Sequence, residues 1–131
     1  MYEVLEHTTD VRLRVDAESR EELFRESVAA LMTSMKAEAQ PGAPEREHIV
    51  LEAPDLTALL VDFLGELLLR SHVSQRTYAV VAFTALDDEH LEATVESRPA
   101  QFGEDVKAVT YHEADVRETA TGWATNLILD I

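Results

Sequence analysis

The hydrophobic period of this chain switches, and the switch restricts its fold more than any other feature. In "VRLRVD" (Val11 to Asp16) Val11, Leu13 and Val15 alternate with Arg12, Arg14 and Asp16, the period of a strand with one buried face. Ser19 and Glu22 then have the spacing of a capping box, in which hydroxyl and carboxylate satisfy free N–H groups at a helix start. Leu23, Phe24, Val28, Leu31, Met32 and Met35 follow at helical spacing and predict one apolar stripe on a helix running to about Met35. A half-buried strand and an amphipathic helix in succession each need a layer to lie against.

The alternation repeats further along. "AEAQPGAPEREH" contains Pro41, Gly42 and Pro44 and reads as a connecting loop, too short for a domain linker. "IVLEA" (Ile49 to Ala53) predicts a short strand. Asp55 can cap a second helix carrying Leu56, Leu59, Leu60, Phe63, Leu64, Leu67 and Leu68 on one stripe. Gly65 inside that helix costs about 1 kcal/mol relative to Ala, which suggests close packing there. From Thr77 onward the pattern is strands. "TYAVVAFTAL" and "LEATVES" flank the turn-forming "DDEH" as a hairpin, and "VKAVTYH" (Val106 to His112) and "WATNLILDI" (Trp123 to Ile131) complete the set, with Gly122 near the turn between them.

Two helices and five to seven strands joined mostly as hairpins predict an α+β fold: a two-layer sandwich of mostly antiparallel sheet with both helices on one face. The 131 residues fit a single domain, 1–131. Apolar residues on both faces near the end of the last strand place it inside the sheet.

Composition narrows the function classes. Twenty-six acids against eleven bases give a formal net charge of −15. Tight direct binding to nucleic acid, which draws on cations that neutralise phosphates, is disfavoured, and a basic partner or a cation is favoured. There is no cysteine, so disulfides, thiol catalysis and thiolate-held metals are excluded. "MYEVLEH" has neither the cationic opening nor the apolar stretch of a signal peptide, and no apolar run nears the roughly 20 residues that span a bilayer. A cytoplasmic location without membrane contact is expected.

The polar run "HTTD" (His7 to Asp10) and the apolar end "NLILDI" (Asn126 to Ile131) stand out. Asp and Thr in such a run bond nearby backbone in turns, which is an adequate structural reading. The functional reading requires Asp10 to meet other charges. Asp130 and the terminal carboxylate of Ile131 leave one backbone within about 5 Å of each other. At an effective dielectric of about 20, two unit charges that close repel by on the order of 3 kcal/mol, so an immobilised cluster favours a cation. Carboxylate and carbonyl oxygens suit calcium, magnesium or manganese, making Asp10, Asp130 and Ile131 a candidate site for such an ion. A single acid at a solvated strand end needs none.

Lys107 is a lone base within "VKAVTYH", able to neutralise acids or approach a phosphate; a solvated strand lysine is the commoner case. In a strand, Lys107, Val109 and Tyr111 would share one face. The five histidines lack HxxxH or HExxH spacing, the four glycines form no GxGxxG or Walker pattern, and no serine sits in a nucleophile elbow. Asp62 and Glu66 share a helix face at i and i+4, in an acidic chain more often solvated than an acid/base pair.

"HTTD", "SREELF", "LLVDFLGELL", "VKAVTYH" and the terminal "LDI" occur in the order they take in the archease family, and the resemblance covers nearly the whole chain. Archeases are small acidic proteins that assist the RtcB-type RNA ligase of tRNA splicing and RNA repair, which joins cyclic-phosphate or 3′-phosphate ends to 5′-hydroxyl ends. The resemblance implies a non-enzymatic activator that promotes ligase guanylylation and multiple turnover and meets RNA only through the ligase, with GTP and manganese belonging to the ligase. It also implies that Asp10, Asp130 and Ile131 correspond to a metal site, calcium in that family, and that His7 and Lys107 engage the partner. The chain departs from the family pattern at Thr9, usually Ala; at Gly65, often Asn; at Glu113, commonly Gly; and at Arg25, usually acidic. Two rival readings are a divalent-metal-dependent phosphohydrolase using the same acids and a general chaperone-like acidic binder.

Overall fold

The computed structural model describes residues 1–6 and 10–131. Among them the elements are β1 (Tyr2–Glu6), β2 (Asp10–Ala17), α1 (Arg20–Ser34), β3 (Ala37–Ala39), β4 (Glu45–Glu52), α2 (Leu56–Ser74), β5 (Arg76–Leu86), β6 (His90–Phe102), β7 (Ala108–Thr119) and β8 (Gly122–Asp130). The α+β class predicted from the sequence is the observed one, with two helices and antiparallel pairing throughout.

Both helices start where their caps predict. The Ser19 hydroxyl accepts from the Glu22 N–H at 3.1 Å, and the Asp55 carboxylate accepts from the Ala58 N–H at 2.8 Å. The Glu22 carboxylate lies 3.4 Å from Arg25, so the hydroxyl half of the expected capping box is the half that forms. Every member of the α1 stripe is buried; on α2 only Leu56, in the first turn, remains partly exposed.

The strands form two four-stranded sheets. The first has the order β1-β2-β8-β7, which puts β8 inside the sheet as its apolar faces require. In the second, β6 pairs with β5, β4 and β3. Pro99 lies between the β4 register, which ends at Ser97, and the β3 register, which begins at Ala100, where a missing N–H breaks no ladder. Helix α1 packs on β2 and β5, and α2 on β7 and β5, so the helices join both sheets around one core. The buried Phe24 and Phe63 and the partly buried Phe83 sit with ring centroids 6.3 Å apart. Each fully buried Leu or Phe contributes roughly 1.5–3 kcal/mol by leaving water.

Several sequence expectations are corrected. The loop predicted over residues 37–48 contains β3 and the first half of β4. Glu45 to His48 pair with Ser97 to Thr94 of β6, and being charged they carry no apolar period to read. Strand β7 starts at Ala108, after Lys107, and continues seven residues past His112. Gly65 is not a close-packing position, since a Cβ added there would meet nothing within 4 Å. Gly122 is where glycine is needed: its φ is +156° and an added Cβ would fall 2.2 Å from the Ala17 carbonyl oxygen.

Candidate cation and partner site

Pairing of β2 with β8 sets Asp10 directly opposite Asp130, and pairing of β8 with β7 sets Ala108 against Asp130 on the other side. The Lys107 N–H donates to the Asp130 carbonyl at 2.7 Å. Three segments far apart in sequence therefore meet at one end of the first sheet. Directly opposite residues of an antiparallel pair have Cβ atoms about 4.5–5.5 Å apart on the same face, and like charges so placed repel. Asp130 is exposed, Asp10 half-buried, and Ile131 half-buried against the core.

Asp10 is under-compensated. Its Oδ1 is buried and has no hydrogen-bond partner among the described residues. The Nε of Arg12 lies 3.8 Å away, close enough to count as an ion pair and too far for a hydrogen bond. A buried carboxylate oxygen in this condition invites a water or an ion. Opposed carboxylates such as Asp10 and Asp130 offer oxygen donors of the kind that suits a hard divalent cation. Among the described residues no three His, Cys, Asp or Glu side chains gather as a metal-holding group. His7 lies outside the described residues, as does Thr9.

Lys107 is exposed just before β7. The expected sharing of one strand face by Lys107, Val109 and Tyr111 is not kept, because Lys107 precedes β7 and Tyr111 lies in the register break; Val109 is partly buried against the core, while the largely exposed Tyr111 donates its hydroxyl to Asp62 on α2. That bond raises the Tyr111 phenol above its ordinary range. Asp62 and Glu66 are not simply solvated: Asp62 takes Tyr111 and Glu66 takes Arg70, whose Nε donates at 3.1 Å.

Two residues at this site escaped the sequence reading, Arg12 and Glu113. Between Thr110↔Ile128 and Asp115↔Asn126, the four residues Tyr111–Ala114 face the single Leu127. Glu113 sits in this bulge at φ +56°, a left-handed conformation that explains why glycine suits the position. From there its Oε2 accepts from Arg12 Nη1 at 3.2 Å. The available signal was the departure from glycine at 113.

Two other acids are matched within the fold. Glu47 accepts from Arg70 Nη1 at 2.7 Å and from the Tyr78 hydroxyl at 2.8 Å, and burial pushes the Tyr78 phenol up. In the β5–β6 turn Asp87 accepts from the N–H groups of Glu89 and His90 at 2.9 and 2.8 Å, and the Glu89 N–H in particular holds its carboxyl below the usual range.

With this geometry in place, known proteins can be compared. A family model described as the Archease protein family (MTH1598/TM1083) matches residues 2–131. The chain belongs to the archease family. The archease of Methanosarcina mazei is 33% identical over 142 residues, covering 99% of this chain and 95% of its own, and that of Methanosarcina barkeri is 28% identical with the same coverage. Among solved structures, an archease from Thermotoga maritima described as a possible chaperone superposes with a TM-score of 0.71 at 19% identity, covering 97% of this chain and 94% of its own. Protein 1598 of Methanobacterium thermoautotrophicum gives 0.71 at 24% identity, covering 99% and 98%. At such identities these two speak for the archease fold. Among the described residues of this archease no helix is long and apolar enough to cross a membrane.

Proposed function

We propose that this archease is a non-enzymatic activator of an RtcB-type RNA ligase, acting from the end of the first sheet where Asp10, Asp130 and Ile131 converge. Membership of the family over residues 2–131 supports the class of activity. The observation that carries the choice of site is the buried Oδ1 of Asp10, without a hydrogen-bond partner among the described residues, directly across from Asp130. Asp10, Asp130 and the carboxylate of Ile131 would hold a divalent ion, calcium by family resemblance. When bound, the ion supplies positive charge that relieves carboxylate repulsion and fixes this edge for docking.

The remaining contributions come from the chain itself. Asp10 and Asp130 hold the anionic edge rigid by strand pairing, and Lys107 stands exposed beside it as a mobile cation for an anionic group of the ligase site. A net charge of −15 steers the protein toward a basic partner surface, an effect on encounter and orientation more than on affinity. The ligase retains the bond-making chemistry with its own GTP and manganese. His7 belongs to the proposed contact by resemblance alone.

The test is multiple-turnover RNA ligation by the cognate ligase with and without this protein. Wild type is expected to stimulate turnover, and Asp10→Ala and Asp130→Ala to lose the stimulation while remaining folded. Full stimulation by both folded variants would remove the site. RNA processing by the archease without any ligase would favour the phosphohydrolase reading instead.

A further inference from the structure

We infer that Arg12 is a tethered cation competing with a divalent ion for Asp10, and that Glu113 weakens this competition by holding Arg12 back. The inference rests on the reading of Asp10 and Asp130 as a cation site and concerns what sets its affinity. Asp10 and Arg12 are two apart on β2 and so face the same way. The guanidinium is shared: Nη1 donates to Glu113 at 3.2 Å while Nε stays 3.8 Å from Asp10 Oδ1. At that separation Arg12 offsets part of the Asp10 charge yet makes no hydrogen bond to the oxygen, which has none from any other described residue. A small divalent ion that contacts the oxygen directly makes a shorter and stronger interaction, provided the guanidinium charge is moved away or tolerated.

The position of Glu113 gives the tether its direction. Arg12 is paired with Ile128 of β8, and Ile128 with Thr110 of β7, so the Arg12–Glu113 contact spans β8 from one neighbouring strand to the other. Ile128, on the same face as Arg12, is only 8% exposed. The contact exists because the β7 bulge projects Glu113 from a left-handed backbone position that is unfavourable for an L-residue. Without Glu113, Arg12 would have Asp10 as its near acid and would close on it. Glu113 thus favours metal binding indirectly, whereas Arg12 opposes it.

Calorimetric titration with calcium chloride separates these roles. Wild type, Arg12→Gln, Glu113→Gln and the double variant are compared, with thermal unfolding as a check of fold and Asp10→Ala as the control for the site. Arg12→Gln is expected to bind calcium about tenfold tighter, equivalent to about 1.4 kcal/mol. Glu113→Gln is expected to bind about threefold weaker in the wild-type background and with no change when Arg12 is already Gln. Unchanged or weaker binding by Arg12→Gln overturns the inference while leaving the site intact. An equal loss from Glu113→Gln in both backgrounds also overturns it, since that is simple removal of a nearby negative charge. If neither wild type nor any variant binds calcium, the site and the inference fall together.

Discussion

Glu47 and Asp10 are both half-buried acids beside an arginine, with side chains 29% and 26% exposed, and their surroundings treat them differently. Glu47 is saturated: Arg70 binds one carboxylate oxygen at 2.7 Å and the Tyr78 hydroxyl the other at 2.8 Å, joining β4, α2 and β5. Asp10 has an arginine 3.8 Å away and a buried oxygen with no hydrogen bond among the described residues, directly opposite a second acid. The same residue types thus form a stabilising network in one place and an unfinished one in the other. Folding alone accounts for the first. The second is where the proposed cation would complete the network.

This contrast is sharpened by substituting on both sides. Arg70→Ala removes charged hydrogen bonds to Glu47 and Glu66 and leaves both acids without that cation; a loss of about 2 kcal/mol is expected, after allowance for partial exposure, read as a melting temperature several degrees lower. Asp10→Ala, measured beside it, is expected to change stability by no more than about 0.5 kcal/mol or to raise it, because it removes repulsion and an unsatisfied oxygen. A large loss from Asp10→Ala would show that the two regions do not differ as described. A smaller effect serves as calibration. Gly65→Ala, on α2 with open space where the Cβ would go, is expected to stabilise by up to about 1 kcal/mol, and a destabilised variant would mean that a close contact exists there after all.

Where one local pattern dominated, the sequence was informative. Ser19 and Asp55 mark the helix starts, Leu23 to Met35 and Leu59 to Leu68 have helical periods, and the apolar character of Leu127 to Leu129 places β8 inside its sheet. Charge hid the rest. The first half of β4 and the second half of β7 are strands held by pairing partners, and their exposed acids and bases carry no apolar signature. The division into two sheets also depends on which distant strands pair. At the site, the acids could be named from the chain end and the "HTTD" run, but the alignment of Asp10 with Asp130 is a register fact that no local pattern encodes. Arg12 read as an outward residue of an alternating strand. Only the β7 bulge, which brings Glu113 within 3.2 Å of it, gives it a further meaning.

The account turns on whether the Asp10–Asp130 edge holds a cation, and calorimetric calcium titration of wild type against Asp130→Ala tests that most directly. The prediction is one ion per chain for wild type and at least a hundredfold loss of affinity in the variant, the scale of removing a direct ligand given that outer partners alone account for roughly 10–100-fold. Equal binding by the two proteins, or none by wild type, would contradict it.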